Sequence, residues 1–103
     1  YMKRTLADMT DEYVKAYELV HAVGDNEYLD FHARRLVEMA GHIIMGYLLL
    51  LDAQRDAQYQ NSADVYIKLG AGWNKDRYNY IAKSDIKDLG LYKMVQEEVL
   101  KIS

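Results

Sequence analysis

The 103-residue chain contains no proline and no cysteine. Proline-free sequence leaves long helices uninterrupted, because no residue lacks an amide donor or clashes one turn back. Without cysteine there is no disulfide framework and no thiolate metal site, and a reducing, cytoplasmic setting is expected. Glycine is scarce at six residues, and tryptophan and phenylalanine occur once each. No basic run exists. Acids and bases alternate to a net charge of −3, which argues against a nucleic-acid partner. No signal peptide or lipidation motif is recognisable. The first residue is Tyr1 rather than Met, as expected for a piece cut from a longer protein.

What is present is helix-forming. Ala, Leu, Lys, Glu, Gln and Met are abundant, and ten tyrosines suit half-buried seams where a hydroxyl can find water or a partner. The most apolar stretch is Leu36 to Leu51, interrupted by only two ionisable groups, Glu38 and His42. A helix apolar nearly all round is expected to be buried on several sides. Its last part, Ile43 to Leu51, is shorter than the roughly 20 apolar residues that span a bilayer, so no membrane partner is expected.

Met2, Leu6, Met9, Tyr13, Ala16, Val20 and Val23 recur at spacings of four and three, a heptad seam that predicts a first helix over 2–22. Thr10 can bond back one turn, and Asp11–Lys15 is a candidate surface pair. Gly24 is a left-handed stop, and Asp25 or Asn26 caps a second helix that runs to about Gln58. Leu29, Leu36, Ala40, Ile43, Tyr47 and Leu50 form one stripe on it. Ala33, Val37, Gly41, Ile44 and Leu48 form the next. Gly41 and Gly46 suggest close approach of a neighbour. A third helix is expected from a Ser62 cap to Lys83, with Tyr59, Tyr66, Trp73 and Tyr80 every seventh residue and Ala63, Gly70 and Arg77 beside them. A bend is expected at Gly70 and Gly72. After Ser84 or Asp85, Ile86 to Leu89 form a turn. Leu91 to Lys101 form a fourth helix with Leu91, Val95, Val99 and Ile102 inward. The sum is a single all-α domain over residues 1–103, a four-helix, mostly antiparallel up-down bundle around a long second helix.

Little here spells out a reaction. Glu38 and His42 lie one turn apart and either bind a metal or form a core-edge pair with each other or with a tyrosine. A di-iron bundle needs Glu-x-x-His on two helices and two further Glu, which this chain lacks, so the pair reading is preferred. His21, His32 and His42 bind zinc only if three separate positions converge. There is no Gly-x-Ser-x-Gly elbow and no Ser/His/Asp order. Gly70-Ala71-Gly72 with Lys68 and Lys75 matches neither a P-loop nor a dinucleotide fingerprint, and reads as helix packing. The tyrosine and tryptophan heptad, with Lys75, Arg77 and Lys83 nearby, reads as a packing or partner seam rather than a base-stacking surface. No catalytic, cofactor-binding or metal residue is assigned.

Tyr28-Leu29, then Val37, and Met39 through Ala53, with the run Ala40-Gly41-His42-Ile43-Ile44-Met45-Gly46-Tyr47, resemble a helix in the C-terminal extension of acyl-CoA dehydrogenase-like flavoproteins. Lys68-Leu69-Gly70-Ala71-Gly72-Trp73 resembles a degenerate form of a later helix in that extension. The resemblance spans about residues 28–81. It departs from the family where no proline closes the third helix and where Gly70 and Gly72 replace larger residues. The resemblance implies FAD and an acyl-CoA substrate for a full-length enzyme whose active site lies in upstream domains. For this chain it implies a non-catalytic accessory role: packing on those domains, supporting a homo-oligomer, or shaping access to the acyl site. The competing expectation is an independent helical interaction module. A metal-binding bundle built on Glu38 and His42 is third.

Overall fold

A computed structural model describes residues 1–102, excepting the side chains of Ile86 and Ile102. Its elements are α1 (Met2–Ala22), α2 (Asn26–Arg55), a 3₁₀ turn (Ala57–Tyr59), α3 (Gln60–Lys83) and α4 (Ile86–Ile102), with no strand among the described residues. The all-α, four-helix expectation holds. The first helix has the predicted bounds, and Thr10 Oγ1 donates to the Leu6 carbonyl at 2.9 Å. Gly24 stops α1 with φ +70°, a conformation open to glycine without a Cβ penalty. Asp25 then caps α2, its carboxylate accepting from the Tyr28 amide at 2.9 Å.

Contacts fix how the helices run. Leu6 meets Gly46, whereas Val20 shares a cluster with Tyr28 and Leu36, so α1 and α2 run in opposite directions. Gly46 meets Ile67 and Glu38 meets Arg77, so α2 and α3 also oppose each other. Two apolar clusters result. One joins Leu6, Met9, Ile43, Leu50, Ala63 and Ile67. The other joins Ala16, Val20, Tyr28, Leu36, Met39, Ile81 and Leu89. The radius of gyration is 17.0 Å, against about 13 Å for a compact chain of this length, because the helices are long and, among the described residues, the backbone of α4 comes close to α2 rather than to α1 or α3.

Several local expectations give way. The second helix ends at Arg55, three residues early, because the Asp56 carboxylate accepts from the Gln58 amide at 3.1 Å and starts the 3₁₀ turn. That turn leads directly into α3, so Ser62 lies inside the helix and caps nothing. The third helix runs unbroken past Gly70 and Gly72. The fourth starts at Ile86 and continues through Gly90 without a separate turn; at its start the Asp88 carboxylate accepts from the Asp85 amide and the Asp85 carboxylate from the Lys87 amide, a variant of the capping box. Leu91, Val95 and Val99 are exposed rather than inward, and the side chain of Ile102, also expected inward, lies outside what is described. Val23 is also exposed.

The largest departure concerns α2. One face is buried, along Tyr28, His32, Leu36, Met39, Ile43, Gly46 and Leu50. The opposite stripe is not: Val37 is 71% exposed, Ile44 61% and Leu48 51%. Tyr47, assigned to the inner stripe by spacing, is exposed too. By length and composition α2 as a whole is sufficient to cross a membrane, which the run from Ile43 to Leu51 alone is not.

The glycines divide by environment. A Cβ on Gly46 would lie 2.6 Å from Leu6 Cδ2 and 3.5 Å from Ile67 Cγ1, so close approach does require glycine there. At Gly41 and Gly72 a Cβ meets nothing within 4 Å. Gly46→Val is therefore expected to lose about 2–3 kcal/mol by overpacking, and Gly72→Ala to gain about 0.5–1 kcal/mol from helix propensity. Urea denaturation of the two variants checks the opposite signs.

Candidate functional site

The ionisable groups singled out by sequence sit at the waist between the two apolar clusters, where α2 faces α3. Asn74 is fully buried there. Its amide NH₂ donates to the Met39 carbonyl at 3.1 Å, which leaves its Oδ1 as the acceptor. His42 Nδ1–H therefore donates to Asn74 Oδ1 at 2.8 Å, which places a proton on Nδ1. Trp73 packs on the same imidazole, ring centres 5.0 Å apart.

Glu38 does not pair with His42. Its carboxylate accepts from Arg77 at 2.5 Å and lies 3.3 Å from Arg34. The Arg77 hydrogen bond holds Glu38 below the usual carboxylate range, so it stays ionised at neutral pH. A carboxylate clamped by two guanidiniums is a poor proton shuttle, because their charges favour its ionised form. The expected Glu38–His42 pair is thus replaced by two separate links to α3. Both became invisible in the sequence because each partner lies more than thirty residues away. A third link joins Lys75 to Glu12 of α1 at 2.7 Å, and it rather than Asp11–Lys15 anchors that side.

The three histidines do not converge. His21 stacks on Tyr17 at the end of α1, ring centres 4.0 Å apart. His32 is fully buried among aromatic edges, 4.8 Å from Tyr28 and 4.9 Å from Phe31, and neither ring nitrogen has a hydrogen-bond partner among the described residues. Among the described residues no three His, Asp or Glu side chains gather as metal ligands. Gly70 is a packing position, with Met9 Cε 3.4 Å and His42 Cβ 3.7 Å from where its Cβ would stand. The aromatic heptad of α3 lies along the rim of the bundle: Tyr59, Trp73 and Tyr80 are partly exposed, and Tyr66 stands edge-on to Trp73. Arg35 lies over the Tyr80 ring at 4.2 Å.

A groove of about 1030 Å³ opens between α2, α3 and α4. Arg34, Arg35, Arg77 and Lys93 line it together with Glu27, Asp30, Glu38 and Asp88, so its charges balance. Lys93 pairs with Glu27 across it, and Phe31 meets Tyr92.

With this geometry fixed, comparison with known proteins is informative. The family model described as acyl-CoA dehydrogenase C terminal matches residues 1–89. This chain belongs to that family. The match takes in α1 to α3 and the first turn of α4, more than the 28–81 span of the resemblance. A solved structure of an acyl-CoA dehydrogenase family protein from Porphyromonas gingivalis is 39% identical, with a TM-score of 0.78 over 82% of this chain and 72% of that one. No curated protein matches the chain. Family membership implies FAD in the full-length enzymes. The residues here do not fit it. The glycines that a pyrophosphate cradle requires are mid-helix at Gly70 and Gly72, their backbone already in α3, and the four cationic side chains of the groove face four carboxylates.

Asn74→Ala removes both of the Asn74 bonds and leaves His42 Nδ1 without its acceptor. It is expected to cost about 2–4 kcal/mol, read as a lower urea midpoint with helicity retained. His32 gives a pH signature. Burial, then the nearby Arg35 charge, pushes its pKa down to about 4, with Asp88 opposing. The unfolded ring titrates near 6.5, so between about pH 6.5 and 4 the unfolded chain binds the extra proton. Stability is complete above pH 6.5 and falls on acidification by up to about 3 kcal/mol from this group. His32→Phe should flatten that part of the curve.

Proposed function

We propose that the chain is a non-catalytic C-terminal domain of an acyl-CoA dehydrogenase, which packs on the flavin-bearing domains and supports their assembly. The observation that carries this reading is the division of α2. Its inner face holds the bundle together, and its outer face, from Val37 to Leu51, is apolar and uncovered. Contiguous apolar surface of this kind marks a docking site. The ionisable groups of the waist are engaged in holding helices, which leaves none in position for proton transfer to a substrate. Upstream domains of the same enzyme and a second copy of the chain are the expected partners, in the cytoplasm; the uncovered face of α2 serves the assembly of copies, and the competing reading, an independent interaction module, would use the same face. The substrate chemistry then belongs to the dehydrogenase domains, with FAD bound there.

Titration of FAD with the purified chain, followed by flavin fluorescence, tests the accessory role. Neither quenching nor acyl-CoA oxidation with an artificial electron acceptor is expected. Saturable flavin binding or turnover by this chain alone would overturn the reading.

A further inference from the structure

The uncovered face of α2 has a repeat of its own. Val37, Gly41, Ile44, Leu48 and Leu51 follow one another at spacings of four, three, four and three, a heptad seam sustained over four turns. This seam lies on the opposite side of α2 from the buried one. No ionisable residue stands within it. Gly41 opens a gap in its middle, where even an added Cβ meets nothing within 4 Å.

We propose that this seam is covered by the same seam of a second copy, the two α2 helices packing antiparallel about a twofold axis near Ile44. The inference rests on reading the face as an assembly surface and names what covers it. Four observations carry it. A seam of period 3.5 is the pattern that a second helix fills by knobs into holes. A face without charge meets its own copy without like-charge repulsion, although the chain as a whole carries a net −3. In the antiparallel arrangement Ile44 meets Ile44, Leu48 enters the gap at Gly41, and Val37 meets Leu51. Arg34 and Asp52 stand at opposite ends of the seam, so the same arrangement carries each Arg34 toward the other copy's Asp52. With Met45 at its edge, the face exposes on the order of 500 Å², somewhat less than the roughly 600–800 Å² that one partner gives to a standard interface. The predicted dimer is correspondingly modest in affinity.

Charge separates this occupant from a lipid surface. An interfacial membrane helix carries a lysine- and arginine-rich polar face. Here Glu38 and Asp52 flank the seam alongside Arg34 and Arg55, and no basic cluster adjoins it.

Light scattering of the purified chain at concentrations from about 1 to 500 µM tests the proposal. The expected mass rises from that of the 12.0 kDa chain to twice that value. Ile44→Asp should weaken the association at least tenfold with unchanged helicity, since Ile44 makes no contribution to the buried core. Single cysteines report the register, because the chain has none of its own. Under mild oxidation Ile44→Cys should cross-link to itself and Val37→Cys should not, while Val37→Cys mixed with Leu51→Cys should cross-link. A monomer throughout the range overturns the dimer, as does a dimer that Ile44→Asp leaves intact. Self-cross-linking at Val37→Cys overturns the antiparallel register. A monomer that sediments with phosphatidylcholine vesicles overturns the proposal in favour of a membrane surface. None of these results bears on the flavin titration, so the two readings fail separately.

Discussion

The structure depends on one buried amide. Apolar contact between α2 and α3 is non-directional, and the residues along both helices recur with a similar period. A slip of α3 by one turn, about 5.4 Å, would still bring apolar side chains together. Asn74 does not allow it. Its two bonds, to His42 and to the Met39 carbonyl, exist in one register only. A slipped Asn74 would be buried with neither partner, at a cost comparable to a sizeable part of the stability of a domain this small. A polar group in a helical seam is best attested as such a register device.

Other placements follow from that register. Gly46 faces Leu6 and Ile67 where no side chain would fit, and Gly70 admits Met9 and His42. Arg77 reaches Glu38 about one turn along from the amide. The ionisable groups on the inner side of α2 are therefore positioning devices, each answering a side chain on α3. His32 is the exception, since it answers nothing, and its buried ring makes the packing of α2 acid-sensitive.

Sequence period revealed helices well and their faces less well. The first helix was legible to the residue because a heptad seam ends at a glycine that only a left-handed stop explains. The end of the second was not, since Asp56 draws the chain into a 3₁₀ turn by a side-chain bond that period cannot register. On α2 the apolar residues are so numerous that two seams satisfy the same spacing, and spacing cannot say which one faces inward. Inward-facing Leu36, Ile43 and Leu50 were separable from exposed Val37, Ile44 and Leu48 only through the partners on α1 and α3. Asn74 did carry a signal. It continues the run Ala63, Ile67, Gly70 at spacings of four and three, which places it on the inner face of α3. The family resemblance came from residue types along α2 and α3, whose inner contacts the fold explains.

Two seams on one helix place folding and association on opposite sides of the same rigid rod. The inner seam is covered within the chain, so substitutions there act on stability. The outer seam contributes little to the folding of a single copy, and its apolar character has no explanation within the monomer: polar residues at Val37, Ile44 and Leu48 would fold as well and be more soluble. Leaving them apolar is intelligible only if something covers them. Because α2 is an unbroken helix of 30 residues, the register fixed at Asn74 also fixes where the outer seam points relative to α1, α3 and the groove beside α4. The amide that holds the bundle in one alignment thereby sets the orientation of the surface through which the domain would meet a partner.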